Sequence, residues 1–160
     1  MFVTAGALLA ALSPIAATRT LVANLTPSVP KGIYWRRPGT SPTRGAIVIF
    51  RIPSKVQRLV DERRYLPDFV GFLSKVVVAL PGDDVCTEGG HLRVRGSFVA
   101  DIRTRDRMGR ALSVYDFCGR LPDGQAWVST DAAYSFDSRY FGPVPISSLT
   151  VEVPLWTYWR

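Results

Sequence analysis

The sequence predicts a mainly β fold of twisted antiparallel sheets with one short helical insertion. Short runs rich in β-branched and aromatic residues recur along the chain, and turns containing glycine or proline separate them. Apolar residues at helical spacing stand out in one window, near residues 54–66. An apolar stretch at residues 2–17 precedes all of these runs. Because the remainder has no internal repeats or low-complexity tracts, we expect it to form one domain.

The composition supports a single folded domain and limits its partners. A chain of 160 residues is long enough for one real core, and 47% hydrophobic with 21% charged residues excludes a disordered protein. The formal net charge of +7 suits anionic lipid headgroups as well as nucleic acid. No basic helix with regular arginine spacing and no nucleic-acid motif is visible. We therefore expect no nucleic-acid partner.

The N-terminal stretch at residues 2–17 allows more than one interpretation. It is shorter than the roughly 20 residues that span a bilayer as a helix, and Pro14 interrupts it. The first charged residue is Arg19, so the basic start of a secretory signal is missing. A membrane anchor, an apolar helix packed on the domain and a segment cleaved on export all remain open from these residues alone.

The regular elements follow in order after this stretch. Ser54 and Gln57 have the spacing of a capping box at the start of the helix, and Pro67 interrupts or restarts it. Val56 and its neighbours at helical spacing would form the apolar face. The last strand should alternate, with the odd positions from Val151 on one side and the even positions on the other. The predicted strands are 32–36, 46–52, 76–80, 84–86, 91–95, 98–103, 125–129 and 150–158.

One serine is held on a stiff backbone. Ser28 lies between Pro27 and Pro30, and the prolines bias Thr26 and Val29 towards extended conformations. Such a segment presents a hydroxyl at a fixed angle. A proline-rich linker is the alternative, because serine and proline are ordinary turn residues.

One lysine opens an apolar run. Lys75 precedes five apolar residues and a Pro81-Gly82 turn, so it begins a strand that we expect to be buried. Desolvation lowers the pKa of a lysine, and a neutral lysine can accept a proton from a serine. A lysine that extends from a strand end to water is the alternative. A third segment, residues 135–144, is rich in hydroxyls.

These three segments together resemble the type I signal peptidase family, and most closely its TraF-type branch from conjugative transfer. The match runs through Asn-x-Thr-x-Ser-x-Pro-x-Gly-x-Tyr at 24–34 and Lys-x-Val followed by Pro-Gly-Asp at 75–83. It continues with Ser-x-Asp-Ser-Arg-Tyr-x-Gly-Pro-Val at 135–144. The resemblance implies a signal-peptidase-like β fold, with residues 1–20 as a membrane anchor or signal-like segment and 21–160 as one catalytic domain.

The resemblance also assigns roles. It makes Ser28 the nucleophile and Lys75 the general base, and Thr26 a donor to the oxyanion. Ser135 would orient the lysine, and Asp137 and Arg139 would form a supporting ion pair. Composition independently favours such a dyad, because the single histidine, His91, leaves little scope for a histidine triad. We expect neither a cofactor nor a metal.

Cys86 and Cys118 are the only cysteines. With one histidine they cannot complete a structural zinc site. An even pair in an exported chain indicates a disulfide, and two buried thiols are the alternative for a cytosolic protein.

The predicted function is therefore a membrane-associated serine endopeptidase of conjugative transfer. The resemblance implies a pilin precursor as the protein substrate, either hydrolysed or cyclised. It places the protein in the bacterial inner membrane, in contact with lipid, with its domain facing the periplasm. Val29, where ordinary leader peptidases have methionine, favours the transfer branch. The oligomeric state stays open.

Three other functions compete with this one. They are a general signal peptidase, a self-cleaving repressor and a non-catalytic periplasmic assembly protein. A repressor would need a DNA-binding helix-turn-helix or an internal Ala-Gly cleavage site, and neither is visible in the sequence.

Overall fold

The computed structural model describes residues 21–67 and 69–158, which form two antiparallel sheets. The helices are α1 (Ser54–Glu62) and α2 (Ser138–Phe141), with a 3-10 turn at Ile146–Ser148. The strands are β1 (Leu21–Asn24), β2 (Lys31–Arg37), β3 (Ile47–Arg51), β4 (Phe72–Ala79), β5 (Asp84–Glu88), β6 (His91–Val94), β7 (Ser97–Asp101), β8 (Cys118–Arg120), β9 (Gln125–Ser129), β10 (Val144–Pro145) and β11 (Thr150–Tyr158). The larger sheet has the order β1-β2-β11-β3-β4-β9-β10, and the smaller has the order β7-β6-β5-β8. The predicted mainly β fold is confirmed.

The main hydrophobic core lies on one face of the larger sheet. Val48, Val77 and Val128, on β3, β4 and β9, are fully buried there. Val60 of α1 and Phe141 of α2 belong to the same cluster. Along β4 every second side chain is buried, as expected for a strand with one face on the core. Lys75 occupies one of these buried positions, so its side chain starts from the core face.

A second core joins the two sheets. Trp127 on β9 is fully buried, and it clusters with Val85 and Leu92 of the smaller sheet. Tyr115 and Phe117 pack their rings near the Trp127 ring, at centroid distances of 6.0 and 5.6 Å. The smaller sheet is thereby fixed to the strand that neighbours β4.

The C-terminal strand lies inside the larger sheet, between β2 and β3. It approaches β2 so closely at Gly32 that an added Cβ would lie 2.1 Å from the carbonyl oxygen of Trp156. Only glycine fits this contact. A bulge between Pro154 and Trp156 shifts the pairing with β2. The predicted strict alternation along 150–158 is therefore wrong beyond the bulge. The extra residue moves each following side chain to the opposite face of the sheet from the one predicted.

Several predicted boundaries need correction. Lys75 does not begin its strand; β4 starts at Phe72 and places Lys75 in its middle. The capping box is absent, because Ser54 is the first helical residue and Pro53 occupies the cap without a side-chain bond. The Gln57 amide donates instead to Asp61. The prediction lacks four short elements, β1, β8, β10 and α2, and the 3-10 turn at Ile146–Ser148.

The predicted anchor, residues 1–20, lies outside the described residues. Within the described ranges, no helix is long and apolar enough to cross a bilayer. The division of the chain at residue 20 stays a prediction.

Candidate active site

The turn between β1 and β2 carries Ser28. Pro27 and Pro30 flank it, and the hydroxyl of Tyr34 on β2 donates to the Pro30 carbonyl oxygen. Val29 points into the protein and is 1% exposed, whereas Ser28 is half-buried. The turn is thus anchored on both sides of the serine, and the Ser28 hydroxyl remains within reach of solvent.

A buried asparagine organises the same turn. The amide nitrogen of Asn24 lies 2.9–3.2 Å from the carbonyl oxygens of Thr26, Val29 and Pro30, to which it donates. Its amide oxygen accepts from the Thr26 backbone N–H at 3.2 Å and from the Thr26 hydroxyl at 2.8 Å. One side chain therefore binds four backbone groups of the segment that holds Ser28.

Lys75 reaches this turn from the centre of β4. It is 3% exposed, and its Nζ lies 2.6 Å from Ser28 Oγ and 2.9 Å from Ser135 Oγ. The two serines come from segments 47 and 60 residues away along the chain. The structure thus brings together the serine, the lysine and the second serine that the sequence singled out.

Burial alters the chemistry of this lysine. Desolvation of the ammonium lowers the pKa of Lys75 from 10.5 to about 8. The negative charge of Asp137 opposes this shift, and the positive charge of Arg139 supports it. At pH 7 about one molecule in ten would then hold a neutral amine, against fewer than about one in a thousand at the ordinary value.

Asp137 and Arg139 form a fully buried ion pair. The guanidinium Nε lies 2.9 Å from Oδ1 of Asp137, and Nη2 lies 2.8 Å from Oδ2. Both side chains are 0% exposed. Arg139 also donates to the carbonyl oxygens of Ala132 and Ser135 at 3.2 Å. The ion pair thereby fixes the backbone of Ser135, whose hydroxyl is a hydrogen-bond partner of Lys75.

Two predicted residues take part in other contacts. Thr26 is exposed, and its hydroxyl donates to Asn24, so its role as an oxyanion donor stays a prediction. His91 lies on β6 of the smaller sheet, where its ring pairs with Asp101 at 3.0 Å. His91 is not among the hydrogen-bond partners of Ser28 and Lys75 in the described part of the chain.

The two cysteines are joined. Cys86 on β5 and Cys118 on β8 are directly opposite in the smaller sheet and form a disulfide. Glu88 lies near this bond, but sulfur atoms bonded to each other are not thiolate ligands, so this donor set does not suit a metal ion.

Sequence reasoning missed the function of two residues inside the matched segments. Asn24 was recognised only as the first residue of its segment, and its hydrogen bonds to the Ser28 turn were not predicted. The signal was its position, because asparagine side chains often bond to backbone groups a few residues further along the chain. Asp83 ends the second segment, where its carboxylate pairs with Arg44 and accepts the Leu80 N–H at 2.9 Å. It stabilises the turn that follows β4.

Comparison with known proteins places the chain among relatives of a known family. The family model described as signal peptidase, peptidase S26, matches residues 1–159. A plasmid transfer protein TraF from Escherichia coli is 34% identical over 148 residues, covering 84% of this chain and 82% of that protein. A conjugal transfer protein TraF from Agrobacterium tumefaciens is 32% identical over 168 residues, covering 99% and 95% respectively.

Proposed function

Because this chain belongs to the signal peptidase family, peptidase S26, we propose that it is a serine endopeptidase of conjugative transfer that cleaves a pilin precursor. The observation that carries the proposal is the 2.6 Å contact between Ser28 Oγ and the buried Nζ of Lys75. The names of the relatives support a role in plasmid or conjugal transfer. The pilin substrate follows from the resemblance of the three matched segments.

In the proposed reaction Lys75 acts in its neutral form. Its amine accepts the proton of the Ser28 hydroxyl as Oγ attacks the scissile carbonyl carbon. The resulting ammonium then donates a proton to the leaving amine, and an acyl-enzyme remains on Ser28. A water molecule, activated by the same amine, hydrolyses the ester. An amine of the pilin attacking in place of water would close a ring.

The developing oxyanion needs donors. The backbone N–H of Ser28 is one candidate, and the Thr26 hydroxyl is the other. The Thr26 hydroxyl must rotate away from Asn24 to take this role. Its backbone N–H keeps a bond to the Asn24 oxygen throughout, so the turn stays in place while the hydroxyl turns.

We also propose that the domain works at the periplasmic face of the inner membrane. Leu21, Trp35 and Val153 lie opposite one another on β1, β2 and β11, and each is 38–42% exposed. Trp156 and Tyr158 are exposed nearby on β11, and such aromatic residues favour the membrane interface. In the sequence, three residues separate the apolar run at 2–17 from the start of β1 at Leu21. These features support a lipid-facing sheet edge beside the predicted anchor.

Cleavage of a pilin precursor by the full chain in lipid vesicles tests the proposal. We expect Ser28→Ala and Lys75→Ala to lower kcat by several orders of magnitude, because each removes an essential half of the dyad. Lys75→Arg should not restore activity, since arginine stays protonated. Lys55→Ala, which removes an exposed lysine of α1, is the matched control and should keep full activity.

Three results would contradict the proposal. A folded Lys75→Ala protein that cleaves at the wild-type rate excludes the dyad. A wild-type protein that cleaves ordinary signal peptides faster than any pilin precursor indicates a general signal peptidase. Conjugation that proceeds normally with Ser28→Ala in place of the wild-type chain indicates a non-catalytic assembly protein.

A further inference from the structure

On the face of the larger sheet that is turned away from the Lys75 side chain, two arginines converge on one aromatic ring. The guanidinium carbons of Arg36 on β2 and Arg51 on β3 lie 5.3 and 5.1 Å from the centroid of the Phe72 ring. Together with Ile49, Ser148 and Thr150 these residues line a shallow pocket of about 260 Å³.

The charges of this pocket are incompletely balanced. Within residues 21–67 and 69–158, neither guanidinium forms an ion pair or a hydrogen bond with a side chain, and the Nε of Arg36 is buried without a partner. Glu152, opposite Arg36 across the β2–β11 pair, is the nearby acid. Burial raises the pKa of this carboxyl, and Ser74 and Arg36 oppose that rise. Even an ionised Glu152 compensates one of the two arginines, so a positive charge remains.

The pocket lies within reach of the dyad along β4. Phe72 precedes Lys75 by three residues, which is about 10 Å along a strand. Phe72 and Ser74 point to the pocket face, and Lys75 points to the core face. β9 pairs with β4 only from Val76 onwards, so the stretch Phe72–Lys75 has no strand partner on that side among residues 21–67 and 69–158. An extended peptide can add to this open edge, with its side chains alternating between the two faces.

We propose that this pocket binds an acidic side chain of the protein substrate, about three residues from the scissile bond. This inference rests on the proposed peptidase function and adds a specificity site to it. Guanidinium groups bind carboxylates with charge-assisted hydrogen bonds, and the Thr150 hydroxyl in the lining offers a further donor. The Ser148 hydroxyl already donates to the Pro145 carbonyl oxygen. Both guanidinium groups pack against Phe72, which belongs to the strand whose edge a peptide would extend.

Cleavage of a peptide mixture randomised at four positions on each side of the scissile bond, with products identified by mass spectrometry, tests the proposal. We expect wild type to prefer Glu or Asp over Gln or Asn at one position two to four residues from the cleaved bond. The preference should be about three- to thirtyfold in kcat/KM. This range lies between the small contribution of an exposed ion pair and the larger contribution of a buried hydrogen bond to a charged group. Arg51→Ala should abolish most of it, and Arg51→Glu should favour Lys at the same position.

The matched control is Arg93→Ala, which removes the same charge from an exposed position on β6 of the smaller sheet. It should leave the preference unchanged. Cleavage without an acidic preference, or with a preference that Arg51→Glu does not alter, overturns this inference and leaves the peptidase function standing. A folded wild-type protein that cleaves no peptide in the mixture overturns the peptidase function, and this inference with it.

Discussion

Replacing Lys75 by methionine should make the domain more stable while destroying its proposed activity. The folded state lowers the pKa of this lysine from 10.5 to about 8. Between these two pH values the unfolded chain binds the proton that the folded chain releases, so folding stability rises with pH in that window. Below pH 8 the buried ammonium therefore costs about 3 kcal/mol of folding free energy.

The hydrogen bonds of Lys75 reduce the expected gain. Methionine has a similar shape but cannot bond to Ser28 or Ser135, and these two contacts contribute about 1 kcal/mol each at most. At pH 7 the Lys75→Met variant should thus exceed wild type by about 1–2 kcal/mol in free energy of unfolding. At pH 10 the folded amine is already neutral and the unfolded lysine is close to its own pKa, so releasing the proton on folding costs little and the difference should fall by about 2.5 kcal/mol.

Urea denaturation of both proteins at pH 7 and pH 10 measures this difference, and the comparison cancels the effects of pH on the rest of the molecule. Lys55→Met provides the control, because an exposed ammonium keeps its water and its substitution should have the same effect at both pH values. A Lys75→Met difference that is the same at pH 7 and pH 10 would refute the reasoning, since it would mean that folding does not change the affinity of this amine for its proton.

Three further predictions concern other parts of the molecule. Asn24→Asp should lower kcat/KM by about ten- to a hundredfold with the fold retained. The reason is that a carboxylate oxygen would replace the amide donor that binds three carbonyl oxygens of the Ser28 turn. Unchanged kcat/KM in a folded variant would contradict this prediction. Replacing both Cys86 and Cys118 by serine should lower the free energy of unfolding by about 2–4 kcal/mol in urea denaturation without reductant. With reductant, the wild type and the double variant should have equal free energies of unfolding. Equal values without reductant would count against the disulfide. Gly32→Ala should destabilise the domain by about 3 kcal/mol or more, because the alanine Cβ would overlap the backbone of β11. A thermal unfolding midpoint close to that of wild type would exclude so close an approach of β2 to β11.

The sequence was sufficient for the fold class and for the pair of residues at the centre of the site. The strands at 125–129 and 150–158 were predicted at their observed positions. The contact between Ser28 and Lys75 was predicted from the matched segments, because residue order within a family carries tertiary information that local patterns lack.

Other features could not be predicted, for physical reasons. β8 has three exposed residues and no apolar alternation, so its assignment as a strand depends on pairing with β5. β1 has only four residues, and its assignment as a strand depends on pairing with β2. The convergence of Arg36 and Arg51 on Phe72 depends on the register of strands that are distant in sequence, which no local pattern specifies.

The position of β11 has a consequence for when the protein becomes active. Ser28 belongs to the β1–β2 unit and Lys75 to the β3–β4 unit, and β11 is the strand that pairs with both β2 and β3. A strand that is synthesised after both Ser28 and Lys75 therefore joins the two units that carry the proposed dyad. While this strand is still incomplete on the ribosome, the pairing that links the two units cannot form. The order of synthesis would thus delay assembly of the proposed dyad until β11 is complete.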